Sequence, residues 1–143
     1  MKHLFVSILL SVSGAAALAQ VTVSDPWVRA TVPVQKATGA FMTLTPERDG
    51  RLIEARSPVA GAVEIHEMVM QGDVMKMRAL PTGLSMTKGK AVVFKSGSYH
   101  FMLLDLKQQM KAGDTVPIQL IIENNEGKRT TVEIKALVKP LSG

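Results

Sequence analysis

The sequence has 143 residues, no cysteine, and only 4% aromatic residues. Without cysteine the chain can form no disulfide, no thiolate metal site and no cysteine nucleophile. Its 17 lysines and arginines outnumber its 12 aspartates and glutamates, but they are scattered among the acidic residues. They do not alternate with aromatic side chains as in a nucleic-acid-binding surface, so we expect no nucleic-acid partner.

Long apolar runs are also missing, except at the N terminus. There the chain reads "MKH", then "LFVSILLSVSGAAA", then "ALA" before Gln20. This order is typical of a secretory signal peptide, and we predict residues 1–19 to be cleaved from a single domain of residues 20–143. The run is short for a membrane span, so we expect export to a bacterial periplasm without stable membrane insertion. An uncleaved anchor is the alternative.

Gly, Pro, Asn and Asp recur at intervals of about eight to twelve residues and separate short runs of alternating apolar character. Examples are "GAFMTLT", "AVEIHEMVM" and "YHFMLLDL". Such spacing is typical of an all-β sandwich or barrel, here with about eight or nine strands. Only "LLDLKQQMKAG" has helical character, and it is short.

The stretch "HEMVMQGDVMKMR", residues 66–78, predicts a β-hairpin with a two-residue Gly-Asp turn. In that register His66 faces Ala79, and Met77 is its diagonal neighbour, close enough for the two side chains to meet. Side chains alternate along a strand, so His66 shares one face with the hairpin methionines. These are Met68, Met70, Met75 and Met77.

A second cluster lies in "YHFMLL", where His100 and Met102 project to the same face of one predicted strand. Once His3 leaves with the leader, His66 and His100 are the remaining histidines, and each is near a methionine on its own face. Methionines along a strand often serve only to pack the core, and that alternative stays open for three methionines of the hairpin. Three methionines elsewhere in the chain are expected to lie in the core. The first set is Met68, Met70 and Met75; the second is Met42, Met86 and Met110.

Two imidazoles and two thioethers indicate a particular metal ion. Thioether sulfur is a soft, neutral donor that suits Cu(I) and binds Zn(II), Mg(II) or Ca(II) poorly. A blue-copper electron-transfer site needs a cysteine ligand, which excludes that class. Outside the cytoplasm thioethers also have the advantage that they cannot couple into disulfides. We therefore predict a Cu(I) site.

The spacing resembles the H-x10-M-x21/22-H-x-M motif of the periplasmic PCuAC copper chaperones: ten residues separate His66 from Met77, and twenty-two separate Met77 from His100. "DPWVRATVPVQKATGAFMTL" and "GDVMKMR" also resemble that family, so the similarity covers essentially the whole chain after the leader. It implies a cupredoxin-like β-barrel, or Ig-like Greek-key sandwich. It implies Cu(I) ligation by His66, Met77, His100 and Met102, and copper delivery to the CuA centre of cytochrome c oxidase, often alongside a Sco-type protein.

One departure from the family concerns the C terminus. Some members carry a His- and Met-rich tail that adds Cu(II) capacity, whereas this chain ends "LVKPLSG" with neither residue after Met110. We expect no second copper site of that kind. For Trp27 and Arg29, in the family-like N-terminal segment, we favour a structural role over partner contact, because a buried tryptophan commonly anchors a sandwich core.

The favoured interpretation is a monomeric, non-enzymatic chaperone that passes Cu(I) by ligand exchange to the apo oxidase subunit carrying CuA. A periplasmic copper storage or resistance protein would bind the same ion without a dedicated acceptor. A hydrolase using Ser98 with His100 or His66 would need a nucleophile elbow and a placed acidic partner, and the sequence shows neither. An Ig-like interaction module would use the methionine-rich face as a contact surface.

Overall fold

The structure, a computed structural model, describes residues 21–141, and the predicted signal peptide lies outside them. Ten strands follow in chain order: β1 Val21–Arg29, β2 Thr38–Pro46, β3 Gly50–Arg56, β4 Ala60–Gln71, β5 Val74–Ala79, β6 Leu84–Met86, β7 Val92–Phe94, β8 His100–Leu106, β9 Thr115–Asn124 and β10 Arg129–Lys139. The two short strands β6 and β7, of three residues each, bring the total above the predicted eight or nine. Within residues 21–141, no helix has the length and apolar character needed to cross a membrane.

The strands form a closed barrel. Seven of them pair in the order β4-β8-β2-β1-β10-β9-β3, and the pairing of Ala55 on β3 with Val63 on β4 closes the ring. The β1–β10 pair is parallel, whereas the other pairs in the ring are antiparallel. The all-β prediction is confirmed.

Alternating burial along β8 shows how the core positions the outer face. Phe101 and Leu103 are fully buried, and the Phe101 ring stacks on Phe94 with centroids 4.4 Å apart. Burying one such side chain stabilises the fold by about 1.5 to 3 kcal/mol. Because neighbours on a strand point to opposite faces, this packing turns His100 and Met102 outward.

The helical character of "LLDLKQQMKAG" is a wrong prediction, since its first residues belong to β8 and an irregular loop follows. Its apolar residues Leu103, Leu106 and Met110 have helix-like spacing, yet all are buried in the barrel core. Asp105 has a φ of 51°, outside the helical region. The backbone N–H of Met110 donates to the Thr31 hydroxyl at 2.9 Å, so a tertiary contact replaces the helical hydrogen bond.

Candidate metal centre

The β4–β5 hairpin has the register that its turn predicts. His66 lies opposite Ala79, and Met68 lies opposite Met77. Gly72 in the turn has a φ of 65°, a left-handed conformation that glycine adopts without strain. The local sequence is therefore sufficient to place one histidine and the hairpin methionines on a common face.

The contribution of β8 depends on tertiary pairing. Strand β8 runs antiparallel to β4, with His66 directly opposite His100 and Glu64 directly opposite Met102. The two imidazole centroids are 5.3 Å apart, with ring planes inclined at 73°. The barrel thus brings together two histidines that are distant in the sequence.

Met77 links the hairpin to this histidine pair. Its Sδ lies 3.0 Å from Nε2 of His100, across the barrel's outer face. Met102 lies on the same face of β8, two residues beyond His100. The four residues named by the motif therefore lie on one patch of the outer face: His66, Met77, His100 and Met102.

Burial differs sharply within this patch. His66 and His100 are only 6% and 8% exposed, although they point away from the barrel core, whereas Met77 is 50% exposed. Met70 and Met75, nearer the hairpin tip, are also exposed and do not pack in the core. Three other methionines are buried in the core as predicted: Met42, Met86 and Met110. The patch therefore has an exposed methionine at its surface and two buried imidazoles beneath it.

Each histidine has one ring nitrogen held by the protein. Nδ1 of His100 lies 3.2 Å from the carbonyl oxygen of Ser98, and Nε2 of His66 lies 2.6 Å from a carboxylate oxygen of Glu64. Nδ1 of His66 is buried and has no hydrogen-bond partner among residues 21–141. Buried polar atoms are normally paired, so this nitrogen has an unused lone pair that a bound cation would satisfy.

The donor set limits which ions fit. In the part of the chain that the structure describes, no group of three or more His, Cys, Asp or Glu side chains is arranged to hold a metal ion. The side chain beside His100 on this patch is the thioether of Met77, a donor type that suits Cu(I) and not the harder divalent ions.

Sequence reasoning missed Glu64. It stands two residues before His66 in "EIH", so the two-residue period of a strand places both side chains on the same face. Its hydrogen bond with His66 makes it part of the candidate site.

Trp27 lies outside the core, contrary to its predicted role as a buried anchor. The β1–β2 register shifts between Ser24 and Trp27, and this bulge directs the indole to the outer face, half-buried. Its ring centroid lies 4.6 Å from that of Phe41. The Arg29 guanidinium lies 5.2 Å from the Phe41 ring, and the Lys139 ammonium 5.3 Å from Trp27. These cation–π contacts surround an exterior aromatic pair.

Comparison with known proteins shows the family to which the chain belongs. A family model described as "Putative lipoprotein LpqE-like" matches residues 21–136. The chain belongs to this LpqE-like family, which is related to PCuAC. The protein RP573 of Rickettsia prowazekii is 31% identical over 115 residues, which is 77% of this chain. The aligned part covers 64% of that relative's length.

Solved PCuAC domains have the same architecture as this LpqE-like protein. The Cu(I) form of DR1885 from Deinococcus radiodurans is 29% identical, with a TM-score of 0.65 over 89% of this chain and 83% of that one. The copper-bound PCuAC domain of PmoF2 is 19% identical, with a TM-score of 0.65 over 87% of this chain and 97% of that one. The predicted PCuAC relationship and cupredoxin-like fold are confirmed.

Proposed function

We propose that this protein is a Cu(I)-binding metallochaperone. One observation carries the proposal: two buried imidazoles meet on the outer face, with Sδ of Met77 at 3.0 Å from Nε2 of His100. Nitrogen and thioether donors without thiolate favour Cu(I). The similarity to the solution structure of Cu(I)-bound DR1885 supports the same ion here.

The proposed ligands are His66, Met77, His100 and Met102. His100 lies beside both His66 and Met77, and Met102 shares their face from the position opposite Glu64. All four donors are neutral, so the ion keeps its single positive charge and release requires no deprotonation or charge separation.

The layered burial supports transfer by ligand exchange. Met77 is half exposed while the imidazoles lie behind it, so an incoming donor reaches the thioether side first. Replacing one thioether at a time keeps the ion coordinated throughout the exchange. The proposed acceptor is an apo cytochrome c oxidase subunit carrying CuA, acting together with a Sco-type protein, in line with the PCuAC relationship.

We also propose a non-enzymatic role in the periplasm. The lipoprotein description of the family supports export to the cell envelope. The geometry gives a hydrolase no support, because His100 contacts the Ser98 carbonyl oxygen, and no hydrogen bond joins the Ser98 hydroxyl to either histidine within residues 21–141.

A Cu(I) competition titration under anaerobic conditions tests the site. Wild-type protein should bind one equivalent, while His100→Ala and Met77→Ala should bind at least tenfold more weakly. Met75→Ala is the matched control, since Met75 is similarly exposed on the same hairpin. Variants at His100 and Met77 that match wild type would refute the assignment.

A transfer experiment tests the chaperone role separately. Copper-loaded protein is mixed with an apo CuA domain, and CuA absorbance is followed. Formation of the CuA spectrum supports delivery. Retention of copper by a protein that binds it tightly would instead support the storage or resistance alternative.

A further inference from the structure

Glu64 has a contact that an ordinary surface carboxylate does not. Its oxygen lies 2.6 Å from Nε2 of His66, although its side chain is 46% exposed and could be fully hydrated. An ionised carboxylate can only accept hydrogen bonds, so the proton in this contact is on Nε2. Glu64 therefore selects the tautomer of His66.

The selected tautomer makes Nδ1 the free donor atom of His66. This nitrogen is buried, and no group in the described part of the chain forms a hydrogen bond with it. If it carried a proton, a buried N–H would be left unsatisfied, at a cost of about 1 to 3 kcal/mol. Its lone pair is available to a cation.

His100 has the opposite arrangement. The Ser98 carbonyl accepts from Nδ1–H at 3.2 Å, which leaves the lone pair on Nε2, the atom 3.0 Å from Sδ of Met77. The two rings are directly opposed across β4 and β8 but inclined at 73°, so they are not equivalent in orientation.

We infer that Cu(I) is bound through Nδ1 of His66 and Nε2 of His100, and that Glu64 is the positioning residue that sets this unlike pair. The inference rests on the proposed Cu(I) site. Metal-ligating histidines almost always donate their second N–H to a carboxylate or a backbone carbonyl, which fixes the ring and raises its basicity. Both kinds of acceptor are present here, one on each histidine.

Two observations argue against an ion-pairing role and a metal-ligand role for Glu64. It forms no ion pair with Lys or Arg among the described residues, whereas Glu67 on the opposite face of the hairpin accepts from Arg78 at 3.0 Å. Glu64, His66 and His100 also do not form a three-donor metal group. The carboxylate is therefore placed to hold an imidazole and not to bind the ion itself.

Nitrogen-15 NMR of protein labelled at histidine tests the donor atoms, with Ag(I) as a diamagnetic probe. In the metal-free protein at pH 8, His66 should be protonated on Nε2 and His100 on Nδ1. Adding Ag(I) should shift Nδ1 of His66 and Nε2 of His100. A metal-dependent shift at Nε2 of His66 would overturn the inference, whereas no shift at either histidine would refute the proposed metal site itself.

Substitutions at Glu64 test the positioning role. Glu64→Ala should mix the tautomers of His66 and weaken Cu(I) binding about 10- to 100-fold. Glu64→Gln keeps an oxygen that can accept the same hydrogen bond, so it should retain the Nε2–H tautomer and rescue part of the affinity. Glu67→Ala is the control and should leave both readouts unchanged. A Glu64→Ala protein with the wild-type tautomer and affinity would overturn the inference.

Discussion

The substitution Met77→Leu separates a metal ligand from a packing residue. Met77 is 50% exposed and lies outside the hydrophobic core. Leucine has a similar volume, and surface substitutions of this kind usually change the free energy of unfolding by less than about 0.5 kcal/mol. The metal-free variant should therefore unfold close to wild type.

The metal-bound proteins should differ. A ligand present at 100 times its dissociation constant stabilises the folded state by about 2.7 kcal/mol, roughly 10 °C in Tm for a domain of this size. If loss of the thioether weakens binding about tenfold, the same copper concentration adds only about 1.4 kcal/mol. The Tm increase should fall to about half.

Thermal unfolding followed by far-ultraviolet circular dichroism, with and without Cu(I) under anaerobic reducing conditions, measures both effects. Met75→Leu is the matched control, because Met75 is 47% exposed on the same face of the hairpin and should keep the full copper-induced increase. A full increase in Met77→Leu would show that this thioether does not bind copper. A loss of more than about 1 kcal/mol in the metal-free variant would show that Met77 supports the fold.

Three further predictions concern the scaffold. Leu103→Ala removes a fully buried side chain behind the site and should cost about 2 to 5 kcal/mol in a urea unfolding experiment. Gly83→Ala should destabilise the fold more than Gly72→Ala in the same assay. Both glycines have positive φ, a conformation that costs alanine about 1 to 2 kcal/mol. At Gly83, but not at Gly72, an added Cβ would also collide with a backbone carbonyl of β3. The hydrogen bond from Arg56 lowers the pKa of Glu54 in the folded protein. The small stabilisation from this pair is therefore fully present above the ordinary carboxyl pKa, and it is lost as the pH falls through the lowered pKa of the folded state. In Arg56→Ala, a carbon-13 NMR titration should show the pKa of Glu54 return toward its usual range.

The hairpin shows how much local sequence can predict. A two-residue turn sets the register of both strands, and a one-residue slip would move every side chain to the other face. The pairing of Met68 with Met77 could therefore be predicted without a structure, and it is confirmed. The same two-residue period also places Glu64 on the face of His66, so this neighbour too could be predicted from the sequence.

The opposition of His66 and His100 could not be predicted in this way. No short turn connects β4 to β8, and their pairing depends on the packing of residues such as Ile65 and Phe101 in the barrel core. The error over "LLDLKQQMKAG" has a related cause, because helix-like spacing of buried residues also arises where an irregular chain crosses a core. The outward position of Trp27 follows from a bulge in β1.

The sequence by itself determined the chemistry of this protein: without cysteine, and with histidines paired to methionines, its candidate donors are imidazole nitrogen and thioether sulfur. It also determined the all-β class, through its period and its turns. Only the tertiary structure decided which side chains meet, which ring nitrogen remains free, and which thioether faces solvent. The physical reason is that strand period and turn geometry act over a few residues, whereas the pairing of distant strands is set by burial of the shared core.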